Sequence, residues 1–231
     1  MQSGKQVTLA MDTSSSPLLI VLEKDGKRFI ARRKGIKQEK LLFPVLNGLL
    51  AKAGAELTDI SRVFIIRGPG RFTGIRISLT FASMLKYLNK TEVRGATMFE
   101  ALRFQAQQSR AFKTWKRHNP AGALAVVLHA FREEYFLQIF DQEQNGPAWL
   151  SREELLKRLA EYGRPLFVAG NDKDGAPLGA LLGDGYTQAE AKICKLQPAQ
   201  FWEMARQDGW EKDALEPLYL KPARFELIKP V

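Results

Sequence analysis

The chain has 231 residues, 35 Lys and Arg against 25 Asp and Glu, and a hydrophobic content of 45%, which excludes a disordered protein. A single cysteine, Cys194, excludes an internal disulfide framework and a cysteine-built zinc cluster and fits a reducing compartment. No apolar run approaches the roughly 20 residues that cross a bilayer, and the polar residues 1–6 lack a signal peptide's apolar core, so the expectation is a cytoplasmic protein without a membrane partner.

In chain order, residues 7–11 form a short apolar run that ends in Asp12-Thr13-Ser14-Ser15-Ser16. Strand-like runs at 18–22 and 29–32 flank an Asp25-Gly26 turn, the pattern of an antiparallel hairpin. Leu41, Leu42, Val45, Leu46, Leu49, Leu50 and Ala53 recur at helical spacing before Gly54. A fully apolar strand, 63–66, runs into Arg67-Gly68-Pro69-Gly70-Arg71-Phe72-Thr73-Gly74 and a helix over 75–88, followed by a strand near Val93 and a helix over 99–107. Residues 108–122 are polar, basic and Pro/Gly-containing and read as a linker or loop. Beyond them, 123–128 and 135–140 are strand-like around a turn at 132–134. Ser151 and Glu154 form a capping box for a helix through Leu159, 165–169 is another strand, and 198–207 reads as a helix.

This order predicts an α/β protein with mixed sheets in two related lobes. The first lobe is 1–107, the basic linker or loop 108–122, the second lobe 123–196, and the C-terminal helix and tail 197–231 return to the first lobe. Charge is uneven between the halves. Residues 1–118 carry a net +14 and residues 119–231 a net −4, which suits a polyanion, an acidic protein partner or a solvated basic surface for the front half.

The most informative segment is the glycine-rich loop at 68–74. Glycines between a strand and a helix permit close backbone approach and free N–H groups, so the loop suits either an anion cradle or a tightly packed turn. It is neither a Walker loop nor the dinucleotide fingerprint.

Ile65-Ile66-Arg67-Gly68-Pro69-Gly70-Arg71-Phe72-Thr73-Gly74-Ile75-Arg76-Ile77 resembles the signature of the TsaB (YeaZ) family. Leu9-Ala10-Met11-Asp12-Thr13-Ser14, Leu42-Phe43-Pro44 and Glu216-Pro217-Leu218-Tyr219-Leu220-Lys221 resemble its opening strand, first helix and C-terminal stretch. The resemblance implies an actin-like ATPase (ribonuclease H-like) fold. It implies a non-catalytic subunit that pairs with TsaD in making threonylcarbamoyladenosine on tRNA, with the ATPase TsaE as third member and a homodimer when alone. Asp12, Thr13, Gly68, Pro69, Gly70, Phe72, Thr73, Gly74 and Arg76 become the signature positions for an anion or nucleotide contact. Arg71 stands where the family usually carries Ser, and Gln38 where it usually carries His.

The residues themselves temper any catalytic reading. His118 and His129 are eleven apart and cannot form the His-x-x-x-His pair of the catalytic paralogue, so no metal site is expected. Ser14, Ser15 and Ser16 lack a nearby histidine, and Cys194 lacks a base. The turn after Asp12 lacks the usual glycine of actin-like ATPases, which leaves weak ATP or ADP binding open and argues against hydrolysis.

The 75–88 helix is apolar around more than the roughly 100° a one-sided helix needs. Its second stripe is covered by the first helix or by another subunit, and the resemblance favours the subunit. The expected partner interface is Leu42, Val45, Leu46 and Leu49 with Ile77, Phe81, Met84 and Leu85. Arg110, Lys113, Lys116 and Arg117, with Phe104, Phe112 and Trp115 interleaved, are the expected tRNA contact, unless those aromatics pack onto the domain. The competing readings are an independent actin-like small-molecule kinase or carbamoyltransferase, suggested by Asp12, and a stand-alone RNA-binding protein, suggested by charge.

Overall fold

A computed structural model describes residues 6–35, 37–141 and 146–221. The start of the chain and the tail beyond Lys221, both read in the sequence, lie outside the described residues. The strands and helices in chain order are β1 (Val7–Asp12), β2 (Leu18–Lys24), β3 (Lys27–Arg33), α1 (Gln38–Ala53), β4 (Ile60–Ile66), α2 (Phe72–Asn89) and β5 (Glu92–Ala96). They continue with α3 (Met98–Gln108), α4 (Arg110–His118), β6 (Ala123–Phe131), β7 (Glu134–Phe140), β8 (Ala148–Ser151), α5 (Arg152–Ala160) and β9 (Leu166–Asn171). The last are α6 (Gly179–Leu182), β10 (Thr187–Gln188), α7 (Pro198–Ala205) and β11 (Glu211–Lys212). They fall into two compact units, each α/β with a mixed sheet, as in actin-like proteins.

The first unit runs to Met98 and resumes over Pro198–Leu218. Its sheet has the order β11-β5-β4-β1-β2-β3. The Asp25-Gly26 turn pairs β2 with β3 antiparallel, with Lys24 opposite Lys27, while β1 runs parallel to β4 and β4 to β5. Both faces of the central strands are buried, which is why β1, β2 and β4 read as near-continuous apolar runs rather than alternating ones. Leu9, Met11, Ile20 and Leu22 pack with Leu42, Leu46 and Leu49 of α1 and Ile75, Ala82 and Leu85 of α2. On β4, Phe64 meets Phe201 of α7 and Trp210 edge-on, with ring centroids 5.7 and 5.9 Å apart.

The second unit comprises Phe99–Gln197 and the chain from Tyr219. Its sheet order is β10-β9-β6-β7-β8. Leu155 and Leu159 of α5 cover Ala125, Val127, Leu137 and Val168 on the sheet. The capping box is present as read: Ser151 Oγ accepts from the Glu154 amide at 3.3 Å, and Glu154 accepts from the Ser151 amide at 2.8 Å.

Two boundaries differ from the sequence reading. Residues 110–118 are not a linker but the helix α4, opened by Ser109, whose side chain accepts from the Phe112 amide at 3.1 Å. Its apolar side settles on β9: Phe112 meets Phe167 edge-on at 5.2 Å, and Trp115 lies 5.5 Å from the same ring. The 99–107 helix, placed by sequence in the first lobe, belongs to the second unit. Gln105 ties it there, donating to the carbonyls of Ile193 and Lys195 and accepting from the Gln197 amide.

Candidate functional site

The signature loop and the turn after β1 lock into each other within the first unit. Asp12 ends β1 fully buried. Its Oδ1 accepts from the Ser14 amide at 2.8 Å and the Ser14 hydroxyl at 2.6 Å, and its Oδ2 accepts from the Ser15 hydroxyl. Burial pushes the Asp12 carboxyl above its ordinary value, and these hydrogen bonds pull it part of the way back. The Thr13 hydroxyl donates to the Gly74 carbonyl at 2.6 Å, and the Arg71 amide donates to the Ser14 carbonyl at 2.7 Å.

These contacts explain the glycines. A Cβ on Gly74 would lie 1.9 Å from the Thr13 carbonyl oxygen, and one on Gly70 would lie 2.5 Å from that of Ser14. The space that a phosphate would need against the loop is filled by the chain's own backbone. With both oxygens of Asp12 also engaged, the residues of this turn do not fit a magnesium–nucleotide. The signature is a packing motif, with Gly68, Pro69, Gly70 and Gly74 forming the joint, while Phe72, Thr73 and Arg76 face outward at the start of α2.

The C-terminal motif docks on the same joint. The Leu218 amide donates to the Arg67 carbonyl at 2.8 Å, and a Cβ on Gly68 would lie 2.7 Å from the Leu218 carbonyl oxygen. Arg67 is also held by Glu211 at 2.7 Å. Two segments about 150 positions apart thus meet in one place. Gln38 supports the other side of the turn: it is buried at the start of α1, and its Nε2 donates to the Ser15 carbonyl at 2.7 Å.

The residues expected at the partner interface divide by depth. Leu42, Leu46, Leu49, Phe81 and Leu85 are buried in the core of the first unit, and Val45, Ile77 and Met84 are half-buried. The outward face of α2 is a different set, which periodicity alone did not separate: Phe72, Arg76, Thr80, Ser83 and Tyr87 follow one another at helical spacing. Tyr87 is 78% exposed, Leu88 64%, Phe72 53% and Phe43 of α1 47%. Phe43 meets the buried Phe81 of α2 edge-on at 5.9 Å. Arg76 stacks over Phe72 at 3.9 Å from the ring centroid. Large apolar side chains are thus exposed at both ends of the outward side of α2, with Arg76, Thr80 and Ser83 between them.

The remaining expected residues lie in the second unit. His118 ends α4 with Nδ1 2.9 Å from the Thr114 carbonyl, rather than sitting in a loop, and His129 lies within β6 with Nε2 2.7 Å from the Arg132 carbonyl. Burial pushes the Cys194 thiol above its ordinary value, against any nucleophilic use. The four expected tRNA-contact residues are all exposed on α4, and Lys116 also donates to the carbonyls of Pro120 and Gly122 at 2.9 and 2.6 Å. Phe112 and Trp115 face the sheet, so they are not stacking platforms. Among the described residues no group of three His, Cys, Asp or Glu side chains is placed to hold a metal ion, and no helix is long and apolar enough to cross a membrane.

The chain is similar to known proteins in sequence and in fold. Residues 35–134 match the family described as TsaD, tRNA N6-adenosine threonylcarbamoyltransferase. The chain is 27% identical over 140 residues to the tRNA threonylcarbamoyladenosine biosynthesis protein TsaB of Escherichia coli, a match covering 60% of this chain and 56% of that protein. It is 24% identical over 173 residues to the TsaB of Bacillus subtilis, covering 71% and 70% respectively. The aligned region thus spans little more than half of the Escherichia coli protein. Among solved structures, YeaZ from Pseudomonas aeruginosa superposes with a TM-score of 0.65 at 20% identity, covering 93% of this chain and all of that one, which shows the same fold. With the signature loop, the Asp12 turn and the C-terminal stretch joined as one structural unit, the chain is similar to the TsaB (YeaZ) proteins in sequence and in fold.

Proposed function

We propose that this chain is a TsaB-type subunit of the complex that makes N6-threonylcarbamoyladenosine on tRNA. It works without catalytic residues of its own, by pairing with TsaD and activating it. The observation that carries the reading is the set of exposed large apolar side chains on these two helices, Phe72, Tyr87 and Leu88 of α2 and Phe43 of α1, next to the signature joint. The half-buried Val45, Ile77 and Met84 form its margin, while Leu42, Leu46, Leu49, Phe81 and Leu85 shape it from beneath.

In this reading TsaE, with its ATP, joins the assembled pair, tRNA is engaged through the complex, and the same face forms a homodimer when TsaD is absent. The setting is the cytoplasm. An independent actin-like kinase or carbamoyltransferase would need a free carboxylate at Asp12, whose two oxygens are already engaged by Ser14 and Ser15.

Co-purification with TsaD of the same organism, followed by mass measurement on size exclusion, tests the proposal. The expected result is a heterodimer that Phe72→Ser combined with Tyr87→Ser abolishes without lowering the melting temperature of the chain. Two folded proteins that do not associate would overturn it, as would ATP turnover by the chain alone that Asp12→Asn abolishes.

A further inference from the structure

We infer that the outward face of α4 is a docking surface for the phosphate backbone of RNA, an inference that rests on reading the chain as a subunit of a tRNA-modifying complex. The helix is two-sided. At about 100° per residue, Arg110, Lys113 and Arg117 fall within an arc of about 60°, opposite Phe112 and Trp115. Those two rings are fixed against Phe167 of β9, so the cations are held outward on a rigid element. The three span about 10 Å of helix axis, a row of charge at the scale of successive phosphates.

Three observations separate this face from an ordinary solvated one. No acidic residue occurs between Glu100 and Glu133, a stretch that contains the C-terminal part of α3 and the whole of α4 and β6. Arg110, Lys113 and Arg117 take part in no ion pair among the described residues, whereas Arg62, Arg67 and Arg94 of the first unit are each paired with a carboxylate. Lys116, the fourth cation of the helix, is withdrawn from the surface role. It closes the turn after α4 on the carbonyls of Pro120 and Gly122.

The same geometry selects phosphate over protein. A protein interface is anchored by aromatic and apolar side chains at its centre. The exposed side of α4 offers Arg110, Lys113, Thr114, Arg117 and His118 and no apolar anchor. With the aromatic rings turned inward, bases cannot stack on this helix, so the contact is to the backbone and does not depend on sequence.

The test is titration of an unmodified tRNA transcript with the full chain in complex with TsaD, at several salt concentrations. Removing the three charges together (R110Q, K113Q and R117Q) is expected to weaken binding roughly 100-fold at about 0.1 M salt. It should also lower the slope of log affinity against log salt by about 2 to 3. A control that removes three cations from α5 (R152Q, K157Q and R158Q) is expected to change both far less. Unchanged binding by the α4 variant, equal loss in the control, or no tRNA binding by the wild-type complex would each overturn the inference. Loss of TsaD pairing by the α4 variant would also overturn it, making α4 a protein contact. Failure of the wild-type chain to pair with TsaD defeats the functional reading itself and is seen before any RNA is added.

Discussion

The two units build the same strand order and use it differently. In the first, β3-β2-β1-β4-β5 has β1 antiparallel to β2 and parallel to β4; in the second, β8-β7-β6-β9-β10 repeats that pattern around β6. The helices at matching places diverge. After β3 comes the 16-residue α1, and after β8 the 9-residue α5; after β4 comes the 18-residue α2, and after β9 the 4-residue α6. Short α5 buries Leu155 and Leu159 and turns a charged side to solvent, whereas α1 and α2 cover their sheet and still expose Phe43, Phe72, Tyr87 and Leu88. The sheet supplies the frame, and helix length and outward composition decide which unit exposes large apolar side chains.

The comparison is most sharply tested where each unit brings backbone against backbone. Gly74→Ala would place Cβ 1.9 Å from the Thr13 carbonyl oxygen in the first unit, and Gly170→Ala would place it 1.7 Å from that of Val127 in the second, at a φ of +134°. Each should cost about 4 kcal/mol or more in chemical denaturation, or prevent folding. A wild-type midpoint for either would break the parallel between the units.

Next in size is the division of α1 and α2 into a buried and an exposed side. Leu46→Ala should cost about 2 to 5 kcal/mol, because it empties a fully buried position. Tyr87→Ser should stay within about 0.5 kcal/mol and lower only the affinity for TsaD. Equal stability losses would mean that Tyr87 belongs to the fold rather than to the partner surface.

Asp12, in the first unit, gives a smaller, pH-dependent effect. Its folded carboxyl titrates above the ordinary value of 3.8, so folding favours the protonated form. The resulting contribution is fully present below 3.8 and is lost as pH rises through the folded value. Asp12→Asn keeps an acceptor for Ser14 and removes the titration. Unfolding measured from pH 3 to 7 should therefore show wild type losing stability relative to the variant as pH rises. A constant difference would place the carboxyl outside the buried site.

The smallest effect concerns the start of α2. Arg71 occupies the N-cap without a side-chain acceptor, unlike Ser151 at the start of α5. Arg71→Ser supplies one and should raise stability by about 1 kcal/mol, read as a higher melting temperature. No gain would mean that the Arg71 side chain already offsets the missing cap.

Much of this was legible in local pattern. Apolar runs bounded by Asp25-Gly26 and by the signature loop located the strands, and Ser151 with Glu154 located α5. The basic composition of 108–122 hid α4, although Ser109 followed by Phe112 and Trp115 is a capped helix with one apolar side. Five charged or proline residues outweighed two aromatic ones in that reading, because composition does not register which side of a helix a residue occupies. The outward set Phe72, Arg76, Thr80, Ser83 and Tyr87 was hidden for a related reason: apolar residues occur on nearly every side of α2.

By itself, the sequence determined the strand-forming runs, the family signature and the concentration of positive charge before residue 118. These depend on neighbours along the chain, where side-chain period and residue type act directly. Only the tertiary structure decided that the glycines of the signature receive the carbonyls of Thr13 and Ser14, that Leu218 returns to Arg67, and that α1 takes Phe81 for the core while leaving Tyr87 outside. Those outcomes rest on contacts between segments from tens of residues to about 150 residues apart, where close packing, not local preference, selects which surface is filled and which stays exposed.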